Sequence, residues 1–260
     1  MKLSFFGPVK NDWVHASSML KSIDKVLGFS SKEIILVDDA SSEKELECAR
    51  SLQKEHCDIS IIFNTKHQGI VPCLNQAIER LSGDIAIPIS ADMELTSRTL
   101  PFALFYAFRL CQVDFFFAKA HHIDQDSKVK VGITGWAATK GVQRRKKVVE
   151  NFISGETRPS GYAVAYRTEV LKKYRYDPDH GSLSDFYLNN LMILKHKAFY
   201  YGKVVSKTLE RKASYSNSFN QEQSLALIEK TITKFESDGV ILTDEQKSRY
   251  RDYERSQWAT

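Results

Sequence analysis

The sequence predicts an α/β fold with a mostly parallel sheet flanked by helices and a helical appendage at the carboxyl end. Two observations carry this expectation. Residues 33–42 read Glu-Ile-Ile-Leu-Val-Asp-Asp-Ala-Ser-Ser, and Ile34 to Val37 run without a polar break, which suits a strand covered on both faces. Strand and helix patterns then alternate four times within about ninety residues, the signature of βαβ units. The apolar run stops at Asp38 and Asp39, at the end of the strand where open α/β sheets bind ligands. A carboxylate there can accept from a base N–H or a ribose hydroxyl; the alternative is that these Asp residues cap the next helix.

Taken in order, residues 3–6 form a short apolar strand closed by Gly7 and Pro8. Asn11 or Asp12 caps a helix whose Ala16, Met19, Leu20, Ile23, Val26 and Leu27 recur at helical spacing, with Gly28 ending it. After the strand at 34–37, Ser42 and Glu45 have the spacing of a capping box, and Leu46, Ala49 and Leu52 mark the buried side of the helix they open. Residues 59–63 are the third strand, and residues 64–69 a polar loop. Ile70, Leu74, Ala77, Ile78 and Leu81 form an apolar stripe ended by Gly83, and residues 85–89 are the fourth strand, running into Ser90-Ala91-Asp92-Met93-Glu94. A helix is expected over 96–110, with Pro101 in its first turn. Strands follow at 115–120, 129–133 and 162–166, with a hairpin turn at 124–128 and a short helix from Thr168. Residues 176–181 are a turn-rich loop, and Ser184-Asp185 precedes an apolar helix. Residues 206–218 read as a loop, and residues 221–235 and 244–258 as two charged amphipathic helices. This gives a main domain over 1–215 and an appendage over 216–260.

The chain has 260 residues, 42% hydrophobic and 27% charged, which is ordinary for a folded protein and excludes the disordered classes. A net charge of +5, spread widely, does not point to nucleic acid. Cys48, Cys57, Cys73 and Cys111 show no metal spacing and read as reduced, mostly buried thiols of a cytoplasmic protein. No apolar run approaches the ~20 residues that cross a bilayer, and the amino terminus enters a strand directly. Membrane contact is therefore expected to be peripheral, at the inner face. The basic run Arg144-Arg145-Lys146-Lys147 is a solvated helix face or a patch for an anionic acceptor or lipid surface.

Four segments, in this order, carry a resemblance. They are residues 4–11 (Ser-Phe-Phe-Gly-Pro-Val-Lys-Asn), residues 35–41 (Ile-Leu-Val-Asp-Asp-Ala-Ser), Asn64 to Gly69 with Leu74-Asn75-Gln76-Ala77-Ile78 and Gly83-Asp84, and Ser184-Asp185. Over residues 3–215 the chain resembles the family 2 glycosyltransferases, which have the GT-A fold with its Rossmann-like nucleotide-binding sheet. The resemblance implies that Pro8, Val9 and Asp39 hold the nucleotide, with Asp39 accepting from the base, most often uracil. Gly69 and the helix after it line the nucleotide side, and a loop passing close to a ligand favours a residue without Cβ. Lys66 can reach the diphosphate or stand unattached at the surface.

The fourth strand end of the family carries an Asp-x-Asp metal motif. This chain departs from it, reading Ser90-Ala91-Asp92, so one carboxylate stands where two or three are usual. Mn²⁺ or Mg²⁺ remains compatible, because Mg²⁺ often takes one or two protein carboxylates and completes its octahedron with phosphates and water. Asp92 is the expected ligand, and Glu94 a weaker one. Asp185 matches the Asp of the family's Glu-Asp pair, with Ser184 replacing the Glu, and is the expected general base; the alternative is a helix cap. Trp136 offers a face to a sugar or belongs to the core. His180 reads as an acceptor neighbour, His121 and His122 as a strand end, and Arg158 and Arg211 as surface residues able to meet phosphate.

The resemblance thus implies an inverting hexosyltransferase that moves a sugar from a nucleotide-diphospho-sugar, UDP-linked by preference, to a glycan or lipid-linked acceptor in surface polysaccharide synthesis. A homodimer is compatible with the terminal helices. Two other readings compete. A sugar nucleotidyltransferase normally shows a Gly-rich, cationic phosphate loop after its first strand, where this chain has Gly7-Pro8-Val9-Lys10-Asn11. A non-catalytic partner that binds nucleotide or glycan in a synthetic complex is favoured by Ser90, Met93 and Ser184.

Overall fold

The computed structural model describes residues 1–27, 31–210 and 221–258. Among these, one sheet runs in the order β3-β2-β1-β4-β9-β6-β10-β5. Its first half is β1 (Leu3–Val9), β2 (Lys32–Asp39), β3 (Ile59–Asn64) and β4 (Ile85–Pro88), all mutually parallel. The connecting helices are α1 (Trp13–Leu27), α2 (Glu43–Glu55) and α3 (Ile70–Arg80). The sheet continues with β6 (Phe115–Asp124), antiparallel β9 (Val164–Arg167) between it and β4, and β10 (Ala198–Glu210) parallel to β6. Short β5 (Met93–Leu95) and β8 (Gly141–Val142) pair with β10, and β7 (Lys130–Thr134) pairs with β6.

The unbroken apolar run of β2 is buried on both faces. Ile34 and Leu36 enter a core with Phe5 of β1, Trp13 of α1 and Leu52 of α2, while Ile35 and Val37 enter a second core with Phe6 and Ala77 of α3. The side-chain period of two makes this division. The second core also takes in α5 (Arg145–Ile153), α6 (Thr168–Tyr174), α7 (Ser184–Lys195), α8 (Gln221–Ser237) and α9 (Asp244–Trp258), through Phe152, Leu171, Leu188, Phe235 and Tyr250. Each such side chain, fully buried, contributes roughly 1.5–3 kcal/mol against exposure.

Several local expectations are corrected. Ser42 precedes α2 but makes no side-chain cap bond. Glu45 accepts instead from the backbone N–H of Trp13 at 2.8 Å, where the unpaired first amides of α1 attract a carboxylate. Asn11 does not cap α1 either: its amide donates to Ser41 Oγ, and its side-chain oxygen accepts from Ser42 N. The helix expected from Thr96 begins later, as α4 (Leu100–Phe105), because the Thr96 amide is taken by Val205 O of β10; residues Tyr106–Leu110 then widen into a π-helix. The segment from Ser206 is strand to Glu210, since pairing with β6 supplies its backbone partners and buries Ser206 and Thr208. Residues 211–218 and the helix stop at Gly28 lie outside the described residues. All four cysteines are free, but only Cys73 is fully buried, and Cys57 is exposed. No described helix is long and apolar enough to cross a membrane.

Candidate active site

The parallel strands β1, β2 and β4 end along one edge of the sheet, and the expected site residues follow those ends. Gly7 sets the spacing between β1 and the segment after β4. A Cβ there would meet the Ile89 carbonyl oxygen at 1.9 Å, and Ile89 N donates to Phe6 O at 2.8 Å. Only a glycine lets residues 89–92 cross so close to β1. Pro8 and Val9 lie at the end of β1, opposite Val37 and Asp38.

The two adjacent carboxylates at the end of β2 divide their tasks. Asp38 is fully buried, accepts from Trp13 Nε1 at 2.8 Å and from Ser41 N at 3.0 Å, and so ties α1 to the strand end. Asp39, also buried, faces the loop after β3. It accepts from Gln68 N at 2.6 Å, Gly69 N at 3.0 Å and His67 Nδ1 at 2.6 Å. Burial opposes its ionisation, but these donors outweigh burial and hold the carboxyl below its ordinary range. His67 was not singled out in the sequence; its side chain is 60% exposed, so it is the donor a ligand reaches first. Gly69 has φ 95°, which is what requires glycine, and no atom lies within 4 Å of a Cβ built there. Lys66 is exposed in the same loop.

Beyond β4, Ser90 Oγ donates to Asp92 Oδ1 at 2.5 Å, and the Asp92 carbonyl accepts from Leu209 N of β10 at 3.2 Å. Ala91 is buried between them. Glu94 pairs with Lys207 at 2.9 Å. Among the described residues no group of three or more His, Cys, Asp or Glu side chains forms a metal cage. The donor set is therefore one oriented carboxylate. That fits a hard divalent cation shared with a diphosphate and water, and does not fit a cation held by protein alone.

Asp185 sits in the first turn of α7, with Oδ1 accepting from Phe186 N at 2.8 Å. Its outer side stays partly open, yet protein crowds the carboxyl, and this desolvation pushes its pKa up to about 6. Gly161, just before β9, makes the room: a Cβ there would lie 2.2 Å from Asp185 Oδ2. Tyr162 follows. Burial, then the negative charges of Asp92, Asp185 and Glu210, push its hydroxyl up to about 12, so Asp92 and Asp185 both act on this one side chain. Its ring meets His122 edge-on at 5.5 Å, and His122 is held between Glu210 and Thr134 at 3.0 Å each. Neither Gly161 nor Tyr162 was singled out from sequence. The small pair Ser160-Gly161 ahead of an apolar strand is the signal that was present.

Apart from His122, which meets Tyr162, the other candidates do not join Asp92 and Asp185. Trp136 is 38% exposed and donates from Nε1 to Gly155 O at 2.8 Å, so it is not a core residue. Arg158, expected at the surface, is buried: it lies between the rings of Phe152 and Tyr253 and pairs with Glu254 at 2.8 Å. His180 is buried too, stacked on Tyr187, and cannot meet an acceptor. His121 and His122 lie in β6, while Arg211 is outside the described residues. Of the basic run, Arg144 and Lys147 line, with Lys140, a cavity of about 300 Å³ beside the start of β10, at the opposite end from Glu210.

A family model described as glycosyl transferase family 2 matches residues 4–175. A dolichol-phosphate mannosyltransferase of Pyrococcus furiosus is 27% identical over 101 residues, which are 39% of this chain and 28% of that protein, so the match spans under a third of that relative's length. Among solved structures, TarS 1-349 of S. aureus in complex with UDP superposes with a TM-score of 0.73 at 15% identity, covering 96% of this chain and 70% of that one. The mannosyltransferase PcManGT of Pyrobaculum calidifontis, in complex with GDP-Man and Mn²⁺, gives 0.63 at 16% identity, covering 99% and 72%. These likenesses establish the fold as GT-A.

Proposed function

The chain belongs to glycosyl transferase family 2, and from that premise we propose that it is an inverting glycosyltransferase. It moves a hexosyl group from a nucleotide-diphospho-sugar, UDP-linked by preference, to a hydroxyl of a glycan or lipid-linked acceptor in surface polysaccharide synthesis. The observation that carries this reading is the Asp185 carboxyl, crowded against Gly161 and raised to about 6. A carboxyl of that kind is ionised near neutral pH yet more basic than an exposed one, which is what removing a proton from a sugar hydroxyl requires. The acceptor oxygen attacks the anomeric carbon as its proton passes to Asp185, and the bond from that carbon to the diphosphate oxygen breaks. A single displacement inverts the anomeric centre.

At the other end of the donor, Asp39 receives a base N–H in place of His67, while Pro8, Val9 and Gly69 line the nucleotide. Lys66 faces the diphosphate. Asp92, oriented by Ser90, would hold Mn²⁺ or Mg²⁺, which when bound supplies charge for the departing diphosphate. The nucleotide ligands of TarS and the GDP-Man and Mn²⁺ of PcManGT support a nucleotide-sugar donor and a cation. In this reading residues 1–215 are the transferase domain and residues 216–260 its appendage.

A thermal-shift screen of nucleotides and sugar nucleotides, with and without Mn²⁺ and Mg²⁺, tests donor binding, because a ligand of the folded state raises the melting temperature. Release of nucleoside diphosphate that vanishes in Asp185→Asn supports the enzyme. Nucleotide binding with no release on any acceptor pool overturns it in favour of a non-catalytic partner.

A further inference from the structure

Tyr162 is pinned in place, yet its hydroxyl is unpaired. Its backbone N–H donates to Ser160 Oγ at 3.1 Å, and its carbonyl accepts from Ser206 Oγ of β10 at 2.5 Å. Its ring meets His122 of β6 edge-on at 5.5 Å, and His122 is itself fixed at both ring nitrogens by Glu210 and Thr134. β6 and β10 therefore set the direction of this phenol. Tyr166, Tyr187, Tyr200 and Tyr201 each bond a protein group through their hydroxyls. The Tyr162 hydroxyl bonds none among the described residues, and the residue is 36% exposed. A donor that is oriented, unpaired and still open to solvent is suited to a ligand.

The charges around it indicate which ligand. After burial, Asp92 acts on this hydroxyl most strongly, then Asp185, and together they keep it protonated, a neutral donor at working pH. In the transferase reading, on which this inference rests, Asp92 marks the diphosphate and Asp185 the acceptor. The bond that breaks then lies between them. A diphosphate brought beside carboxylates meets like charge, and a neutral donor there attracts it. Lys66 stands after β3, with β2 and β1 between it and β4, so it approaches from the nucleoside side.

We propose that the Tyr162 hydroxyl donates a hydrogen bond to an oxygen of the phosphate that carries the sugar in the nucleotide-diphospho-sugar. Tyr162 is then a substrate-contacting residue of this site. The phenol keeps its proton throughout. As the bond from the anomeric carbon to the diphosphate oxygen breaks, negative charge grows on that phosphate and the hydrogen bond strengthens with it. The cation position offers one oriented carboxylate, so a protein hydroxyl on the same phosphate has more to contribute.

Isothermal titration of UDP and UMP, with GDP and GMP in parallel, compares the wild type with Tyr162→Phe. The substitution keeps the ring against His122 and is expected to keep the melting curve. It should weaken diphosphate binding by about tenfold or more, the scale of one hydrogen bond to a charged group, and leave monophosphate binding unchanged. In transfer assays kcat should fall by about tenfold or more while acceptor KM holds. A Tyr162→Phe variant that binds diphosphates as the wild type does overturns the proposal. So does an equal loss for monophosphates, which would make Tyr162 a support of the whole nucleotide site. Unaltered diphosphate affinity with a raised acceptor KM would assign the hydroxyl to the acceptor instead. A wild type that binds no diphosphate overturns the donor reading as well, so the two failures are distinguishable.

Discussion

Gly161 and Asp185 are fitted to each other: the hydrogen on one α-carbon lies against the other's Oδ2, and a methyl group there would come to 2.2 Å. Gly161 has no left-handed backbone, so an alanine is free to keep the local fold and must instead displace the carboxyl. Gly161→Ala is expected to lower kcat by about 10²-fold, the scale of a 1 Å misplacement of a reacting group, with donor KM little changed. Steady-state kinetics with a thermal melt checks this; an unaltered kcat would remove Gly161 from the site's support.

Asp185 also predicts a stability profile. Its folded pKa of about 6 lies above the ordinary carboxyl value of 3.8, so the folded state binds the proton more tightly than the unfolded chain does. The sign follows: this group's contribution falls as pH rises from about 3.8 to about 6 and stays unfavourable above. Asp185→Asn should melt higher than the wild type at pH 8, where it loses transfer, and nearly level with it at pH 3, where the wild-type carboxyl is itself protonated. Melting curves across that range decide it, and a constant difference at all pH values would count against a desolvated carboxyl.

Asp39→Ala should weaken nucleoside diphosphate binding by about tenfold or more, the loss of a charged hydrogen bond of roughly 1.5–3 kcal/mol. The same change frees Gln68 N and Gly69 N, so the loop should exchange its amide hydrogens faster. Isothermal titration and hydrogen exchange read the two effects separately. Equal affinity in mutant and wild type would reject the nucleotide role.

Asp92→Ala should abolish any increase in nucleoside diphosphate affinity brought by Mn²⁺. Ser90→Ala should reduce that increase without abolishing it, since it removes only the hydroxyl that orients Asp92. Titrations with and without the ion make the comparison, and a full Mn²⁺ response in Asp92→Ala would move the cation elsewhere.

Glu254→Gln leaves the Arg158 guanidinium buried without its acid, and breaking such a pair costs about 3–5 kcal/mol. Arg158→Met with Glu254→Gln should recover most of that loss, because an apolar side chain suits the slot between Phe152 and Tyr253. Denaturant unfolding of the single and double variants tests this pairing.

What the sequence made legible was local. The run Ile34–Val37 with its terminal acids, the Gly69 turn and Asp185 ahead of an apolar helix each announce themselves within ten residues. What it hid depends on distant partners. The resemblance assigned Asp39 to the nucleotide but gave Asp38 no task; its task comes from Trp13, 25 positions away. The capping box failed because Glu45 serves Trp13, 32 positions away. Arg158 read as a surface residue because the acid that lets it be buried is 96 positions further on. Gly161 gave no sign of its importance, since the atom it accommodates belongs to another element.

The pairing of Arg158 with Glu254 has a last consequence for biosynthesis. Arg158 N–H and C=O bond Trp136, and Ser160 two residues on bonds Thr134, so this strip steadies the approach to Tyr162. A polypeptide released before α9 would seal a lone cation beneath that strip and leave Phe152 without Tyr250. Prematurely terminated copies would thus open where proteases can enter, and only chains synthesised through α9 would persist with the cleft intact.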